Sequence, residues 1–134
     1  MKKYITIYIS LLITFLAFWG FSMLPAEAAN PHEVVTEYFV ALKNGNTEAA
    51  KNLLSENFYQ KRKGLLKNNR YYSEFLKKFY EASRFHIVNT VQKNARAYVD
   101  VEQTLKDGSK NTVALTLQED KPGDWRIAEE TIKP

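Results

Sequence analysis

The chain of 134 residues has no cysteine, and this absence excludes several kinds of chemistry. Without a thiol there is no disulfide, no zinc–thiolate site, no thiol nucleophile and no lipid anchor attached through cysteine. Glycine and proline are scarce as well, with five and four residues. Packing of side chains must therefore hold the domain together.

Signatures of catalysis are missing too. The sequence has no glycine-rich phosphate loop and no Gly-x-Ser-x-Gly nucleophile turn. Its two histidines are His32, in the first turn of a predicted helix, and His86, at the start of a predicted strand. Neither has the spacing of a metal-ligand set or a carboxylate motif beside it. The sequence therefore predicts no metal and no cofactor.

The first 28 residues have the pattern of an export signal. A pair of lysines is followed by the apolar stretch Ile5 to Phe21, and then by the small residues of Ala26-Glu27-Ala28. This order is typical of a signal peptide that is cleaved after Ala28. We therefore expect a signal peptide over residues 1–28 and a secreted or extracytoplasmic domain over residues 29–134.

A second interpretation of the same segment is an uncleaved anchor. Ile5 to Leu24 spans 20 residues, which is about the length that crosses a bilayer. Such an anchor would leave the domain tethered outside the cytoplasm. Pro25 and the following Ala-Glu-Ala favour cleavage.

Positive charge is concentrated in the middle of the chain. Residues 43–96 contain 12 lysine and arginine residues and four acidic ones. The densest part comprises Lys61, Arg62, Lys63, Lys67 and Arg70, with Tyr59, Tyr71 and Tyr72 on either side. For an exported protein this pattern predicts an anionic envelope polymer or a lipid headgroup as the partner, and no nucleic acid. The alternative is a solvated helix face without a partner.

Apolar residues recur with helical spacing in the first half of the predicted domain. Asn30 and Pro31 predict a helix start, and Asn44-Gly45 predicts its end. A second, shorter helix is expected from about Thr47, with Phe58 closing its end. The charged residues 60–69 indicate a loop. A third helix is expected from about Arg70 to Ser83, and its apolar positions are Tyr72, Phe75, Leu76, Phe79 and Tyr80.

After residue 84 the apolar period changes from 3.6 to 2. Four strands are expected, separated by turns at Lys93-Asn94, Asp107-Gly108 and Pro122-Gly123. Strands joined by such short turns must run antiparallel. The sequence therefore predicts an α+β fold, in which about three helices pack on one face of a bent four-stranded meander.

Two stretches resemble a known superfamily. Residues 34–46 have an apolar and aromatic helix that ends in Ala-Leu and then Gly-Asn, and residues 123–127 read Gly-Asp-Trp-Arg-Ile. Both resemble the nuclear-transport-factor-2-like superfamily, in its opening helix and its closing strand. In length and layout the chain is similar to small exported members of unknown function in Gram-positive bacteria. The resemblance implies a cone-shaped sheet covered by helices, and it names no activity.

Enzymes of this superfamily, such as ketosteroid-isomerase-like proteins, place a base and a donor inside the cone. Here the inward strand positions are apolar, with Gln103 as the polar exception. They are Ala95, Ala97, Val99, Val101, Val113, Leu115, Leu117 and Ile127. Candidate cavity residues are Tyr38, Gln103 and Trp125. The absence of an inward base favours a non-enzymatic binding or accessory module. A carrier of a small apolar ligand, or an isomerase- or dehydratase-like enzyme, is the alternative.

The opposite strand positions form a mixed surface that suits a modest interface. Its candidate residues are Arg96, Tyr98, Asp100 and Glu102. Members of this fold often form homodimers through that surface, and full solvation is the other interpretation. A protein partner in place of an anionic polymer is equally compatible with the sequence.

Overall fold

Four helices precede four strands in the part of the chain that the structure describes. The computed structural model describes residues 29–68 and 71–133. The predicted signal peptide and Arg70 lie outside these residues. The helices are α1 (Pro31–Lys43), α2 (Thr47–Asn52), α3 (Glu56–Asn68) and α4 (Tyr72–Tyr80). Within these ranges, none of the helices is both long enough and apolar enough to cross a bilayer.

Helix α1 begins and ends with its own sequence signals. The Asn30 side chain accepts a hydrogen bond from the Glu33 N–H at 2.9 Å, and the Glu33 carboxylate accepts one from the Asn30 N–H at 3.4 Å. At the other end the Asn46 N–H donates to the Ala41 carbonyl at 2.8 Å. This closure requires a left-handed residue, and Gly45 supplies it with φ +65°. One face of α1 is buried in the core.

Helix α3 occupies the segment for which we predicted a loop, and that prediction is wrong. The Ser55 Oγ accepts a hydrogen bond from the Phe58 N–H at 3.2 Å, which caps the helix, and the Gln60 amide binds the Glu56 carboxylate at 2.6 Å. Lysine, arginine and leucine are good helix formers despite their charge or bulk. Phe58 therefore opens α3 instead of closing α2, and its side chain is buried.

The second half of the described chain forms one antiparallel sheet. Its strands are β1 (Arg84–Lys93), β2 (Arg96–Thr104), β3 (Lys110–Lys121) and β4 (Asp124–Lys133). Their spatial order is β1-β2-β3-β4, so the predicted meander and the α+β class are confirmed. Ala95, which we expected inside, is an exposed turn residue. The helix-facing row is fully or almost fully buried and comprises Ala97, Val99, Val101, Val113, Leu115, Leu117 and Ile127.

Three extra residues interrupt the ladder and bend the sheet, and one of them is Asp120, beside the turn between β3 and β4. Ile87 pairs with Val101 and Asn89 with Asp100, so that Val88 is left over in β1. In the same way Ala128 is left over in β4. Bulges of this kind curve a strand and reset its alternation of faces. After Ala128, the residue that pairs with the buried Leu115 is Glu130.

The outer edge of β4 is partly covered by the segment after α2. The Ile127 N–H donates to the Leu53 carbonyl, and the Ser55 N–H donates to the Ile127 carbonyl, both at 2.8 Å. Leu54 forms an isolated parallel bridge at this point and is buried. The short helix α2 is thereby tied to the sheet.

Candidate functional site

A carboxylate, that of Glu130, lies between the helices and the sheet, opposite Leu115 in the middle of β3. The Tyr38 hydroxyl of α1 donates to the Glu130 Oε2 at 2.9 Å, and the Arg62 Nη2 of α3 is 3.6 Å from the same oxygen. Tyr38 is 5% exposed, and the Glu130 side chain is 15% exposed. A phenol and a guanidinium therefore meet at one oxygen of this carboxylate.

This arrangement gives Arg62 a partner inside the chain. Its guanidinium carbon lies 4.9 Å from the centre of the Phe58 ring, and its side chain is 38% exposed. Lys61 and Lys63, its neighbours on α3, are exposed, and Lys67 lies in the same helix. The anionic partner of these residues stays a prediction.

Two further tyrosines from α4 lie close to the same charges. Burial and the Glu130 charge raise the pKa of Tyr80 to about 12, and burial raises that of Tyr72 in spite of Arg62. Burial, again with the Glu130 charge, raises the pKa of Tyr38 well above its usual value. Three phenols therefore share one carboxylate and one guanidinium.

Gln103 is the next-to-last residue of β2. It is the member of this group whose side chain lacks, within the described part of the chain, a hydrogen-bond partner at one atom. Its side chain is 5% exposed, and among the described residues its Nε2 has no hydrogen-bond partner. The amide lies beside the Tyr80 hydroxyl, and its interaction with that hydroxyl opposes the rise of the Tyr80 pKa. Buried amide donors without an acceptor are rare in native proteins.

The outward flank of α4 departs from the predicted pattern. We expected Phe75 and Phe79 in the apolar stripe that faces the core, but they are 57% and 43% exposed. Their rings are stacked with centroids 5.7 Å apart, and the Phe79 ring meets the Tyr80 ring edge-on at 4.9 Å. Helix α4 buries Leu76 instead. We call the group of Tyr72, Phe75, Phe79, Tyr80 and Gln103 the α4 site.

Trp125, the third predicted cavity residue, lies elsewhere. It pairs with Glu119 at the start of β4 and is buried in the core. Five residues separate it from Glu130, which is roughly 16 Å along an extended strand. The Tyr80 side chain lies near both Tyr38 and Gln103, whereas Trp125 lies at the start of β4.

The outer sheet face carries the residues predicted for a dimer. Arg96 and Tyr98 are exposed there. Asp100 binds the Lys133 Nζ at 2.8 Å, and Glu102 binds the Lys110 Nζ at 3.4 Å, so both acids have partners within the chain. The homodimer through this face stays a prediction.

Surface clefts border α1, α2 and α4. A cleft of about 460 Å³ lies between α1 and α2 and is lined by residues such as Val40, Asn44 and Leu53. Others lie beside Lys43 and Lys77, and beside Phe79 and Leu105. Across residues 29–68 and 71–133, no three histidine or acidic side chains come together as a metal site would require.

Solved structures with the same arrangement of elements establish the fold. A protein from Campylobacter jejuni, named as an NTF2-like transpeptidase, shares 10% identity over 75% of this chain and 99% of its own, with a TM-score of 0.56. The chain has the nuclear-transport-factor-2-like fold. A variant of a protein named Rd1NTF2_05 is 9% identical over 76% of this chain and 95% of its own, also with a TM-score of 0.56.

A SEC-C motif containing protein from Rhodopseudomonas palustris is similar as well. It is 13% identical over 79% of this chain and 80% of its own, with a TM-score of 0.55. No protein-family model and no curated protein matches the sequence. Likeness at such identities concerns the fold, and a binding or accessory module fits it.

The buried phenols lead to a prediction about alkaline pH. Because the unfolded phenols ionise near pH 10 and the folded ones at higher pH, their stabilisation is complete below pH 10 and is lost as the pH rises further. We expect the unfolding free energy to fall by about 1 kcal/mol for each buried phenol between pH 10 and 11. Urea unfolding at several pH values measures this loss.

The matched variants are Tyr80→Phe and Tyr98→Phe, which remove a buried and an exposed phenol. Tyr80→Phe should make the alkaline loss smaller, and Tyr98→Phe should leave it unchanged. Equal effects of the two variants would contradict the assignment.

Proposed function

We propose that this protein is an exported, non-enzymatic binding module of the bacterial cell envelope, and that its ligand occupies the α4 site. One observation carries the proposal: two stacked phenylalanine rings of α4, Phe75 and Phe79, are exposed to solvent beside the half-buried Tyr80. Exposed apolar surface next to a few polar groups is the usual composition of a ligand site.

Two features support binding over catalysis. The helix-facing side of the sheet is filled with aliphatic side chains, which leaves the reacting groups of a proton-transfer enzyme without space. The carboxylate that does face the helices, Glu130, is held by Tyr38 and Arg62. A general base needs a free lone pair directed at its substrate.

The envelope location in this proposal comes from the N-terminal pattern and the basic region. Lys61 and Lys63 are exposed on α3, where an anionic polymer or lipid headgroups would reach them. Their contribution to affinity would be electrostatic and therefore sensitive to salt.

The experiment uses the full chain, expressed in a Gram-positive host. The protein is purified from whichever cell fraction contains it: the medium, the membrane or the cytoplasm. We expect the protein outside the cytoplasm, with the mass of a chain that begins at Ala29. The neutral fluorescent probe N-phenyl-1-naphthylamine should bind it with increased emission. Phe75→Ser combined with Phe79→Ser should weaken this binding at least tenfold, because each ring contributes about 1 kcal/mol or more of apolar contact.

The matched control replaces two other exposed apolar residues. Val88 and Val91 lie on β1 and are 52% and 41% exposed, and their double serine variant should bind the probe as the native protein does. Cytoplasmic retention of the unprocessed chain would refute the location. Equal loss in both double variants would refute the site.

A further inference from the structure

We infer that the ligand of the α4 site is an anionic amphiphile, whose acidic head lies between Lys78 and Lys106 and whose alkyl chain lies on the exposed phenylalanine rings. The inference rests on the proposed function and names the class of ligand for that same site. Three features carry it: a cleft beside the rings, an excess of lysines around this cleft, and a turn that engages the cleft's own acidic residue.

The cleft lies between α4 and the turn that joins β2 to β3. Its volume is about 370 Å³, and its lining includes Lys78 and Phe79 from the helix and Leu105 and Lys106 from the turn. This volume is near the lower end of the range found for small-molecule sites. The head of a ligand therefore fits inside the cleft, whereas a longer body must continue outside it.

The apolar wall of the cleft continues onto the exposed aromatic surface of α4. Phe79 lines the cleft, and the Phe75 ring is stacked on the Phe79 ring with centroids 5.7 Å apart. The two residues are one helical turn apart, which is about 6 Å along the axis. An alkyl chain that leaves the cleft over Phe79 reaches Phe75 next, and it covers apolar surface that water otherwise contacts.

Lysines outnumber acidic residues around the cleft. Lys78 lines this cleft and also the neighbouring one beside α1. Together the two clefts contain four lysines and two acidic residues: Lys43, Lys77, Lys78, Lys106, Glu81 and Asp107. In residues 29–68 and 71–133, no carboxylate forms an ion pair with Lys78 or Lys106, and both lysines are exposed. This distribution of charge attracts an anion and repels a cation.

The turn between β2 and β3 holds the backbone around Lys106 in place. The Leu105 N–H donates to the Ser109 carbonyl at 2.8 Å, and the Gly108 N–H donates to the Leu105 carbonyl at 2.9 Å. The Asp107 Oδ1 accepts hydrogen bonds from the Ser109 N–H at 2.9 Å and from the Ser109 Oγ at 2.6 Å. The Asp107 carboxylate is thus engaged within its own turn, which leaves the lysine ammonium groups as the charges available to a ligand.

The test compares three octyl probes that differ in the charge of the head: octyl sulfate, octyl glucoside and octyltrimethylammonium. Each is titrated, below its critical micelle concentration, against N-phenyl-1-naphthylamine bound to the protein at pH 7.5. We expect octyl sulfate to displace the fluorophore at about fivefold lower concentration than the glucoside, because exposed ion pairs add only modest affinity. The cationic probe should be the weakest, and sodium chloride at about 0.5 M should remove most of the difference.

The variant for this test combines Lys78→Gln with Lys106→Gln. Its preference for octyl sulfate over the glucoside should fall to about twofold or less. The matched control combines Lys93→Gln with Lys121→Gln, which removes the same charge from two exposed lysines at the ends of β1 and β3. These ends lie across the sheet from the turn between β2 and β3, so the control should keep the preference.

A second measurement separates the two sources of such a head, a free amphiphile and a bilayer. The protein is sedimented with vesicles of phosphatidylglycerol and with vesicles of phosphatidylcholine. Binding to the anionic vesicles that is lost in the variant of Lys78 and Lys106 identifies membrane lipid as the source. Displacement by octyl sulfate without binding to either vesicle identifies a free amphiphile.

The outcomes also separate this inference from the proposed function. Failure of the fluorophore itself to bind would contradict both. Three probes that displace it equally well, a preference for the cationic probe, or an equal loss of preference in the two double variants would refute this inference and leave the proposed function standing.

Discussion

Replacing Gly45 with alanine is expected to lower the unfolding free energy by about 3 kcal/mol. Gly45 has φ +65°, which an alanine adopts only at a cost. In addition, a Cβ at this position would lie 2.6 Å from the Ser73 carbonyl oxygen and 2.7 Å from the Ser73 Oγ. The Ser73 Oγ already donates to the Gly45 carbonyl at 2.6 Å, so that α4 would have to move as a unit.

Two other glycines provide the comparison. Gly108 has φ +87° with no atom near its missing Cβ, so Gly108→Ala isolates the conformational cost of about 1–2 kcal/mol. Gly64 lies in α3 with open space around it, and Gly64→Ala should stabilise the helix by up to about 1 kcal/mol. Urea unfolding of the three variants gives the differences. If Gly45→Ala and Gly108→Ala lose the same amount, the contact with Ser73 is unimportant.

The second large effect is expected from Phe39→Ala, which should cost about 4 kcal/mol. Phe39 is 2% exposed, and its ring is stacked on Phe85 at 5.1 Å and meets the Tyr38 ring edge-on at 5.6 Å. The substitution removes the ring that joins α1 to β1 and leaves a cavity behind it. Loss of the ring also frees Tyr38, which holds Glu130.

The adjacent Val40 is the control for this prediction. Its side chain is 45% exposed on the other face of α1. Val40→Ala should change the unfolding free energy by no more than about 0.5 kcal/mol, as is usual for surface positions. Thermal or urea unfolding decides between the two. A loss below 2 kcal/mol for Phe39→Ala would mean that the neighbouring rings collapse into the space.

The sequence was sufficient for the architecture because its local signals agree with one another. Asn30 and Gly45 delimit α1, and the change of apolar period after residue 84 marks the passage from helices to strands. The turn at Lys93-Asn94 places Asn94 at φ 54°, a conformation that asparagine tolerates. Strict alternation then put Val99, Val101 and Leu115 in the core, where they lie.

The sequence was insufficient for α3 and for the outward flank of α4. Charge density between residues 60 and 69 suggested a loop, although long charged side chains propagate a helix once Ser55 has capped it. On α4 the spacing of Phe75 and Phe79 fits an apolar stripe, and nothing local distinguishes a buried stripe from an exposed one. That difference depends on how α4 is rotated against Gly45 and α1.

The polar part of the site was out of reach for a related reason. Gln103 and Tyr38 were found by their position in the pattern, but their neighbours Glu130 and Tyr80 were not, and Arg62 was expected to bind an external anion. Arg62 belongs to a basic run, so that its contact with a carboxylate 68 residues later leaves no local trace. To predict that Glu130 faces the helices, one would have to know that Ala128 is an extra, unpaired residue of β4.

The extra residue in β4 also has a consequence for comparative work on this chain. In a homologue that lacks a counterpart of Ala128, the acidic residue equivalent to Glu130 would still face the helices. It would follow the tryptophan after one residue fewer than in this chain. An ungapped alignment would then match that residue to Glu129, on the solvent side, and score the inner carboxylate as lost. A single-position gap placed at Ala128 restores the correspondence. Searches for relatives that share the contact between Tyr38 and Glu130 should allow for this gap.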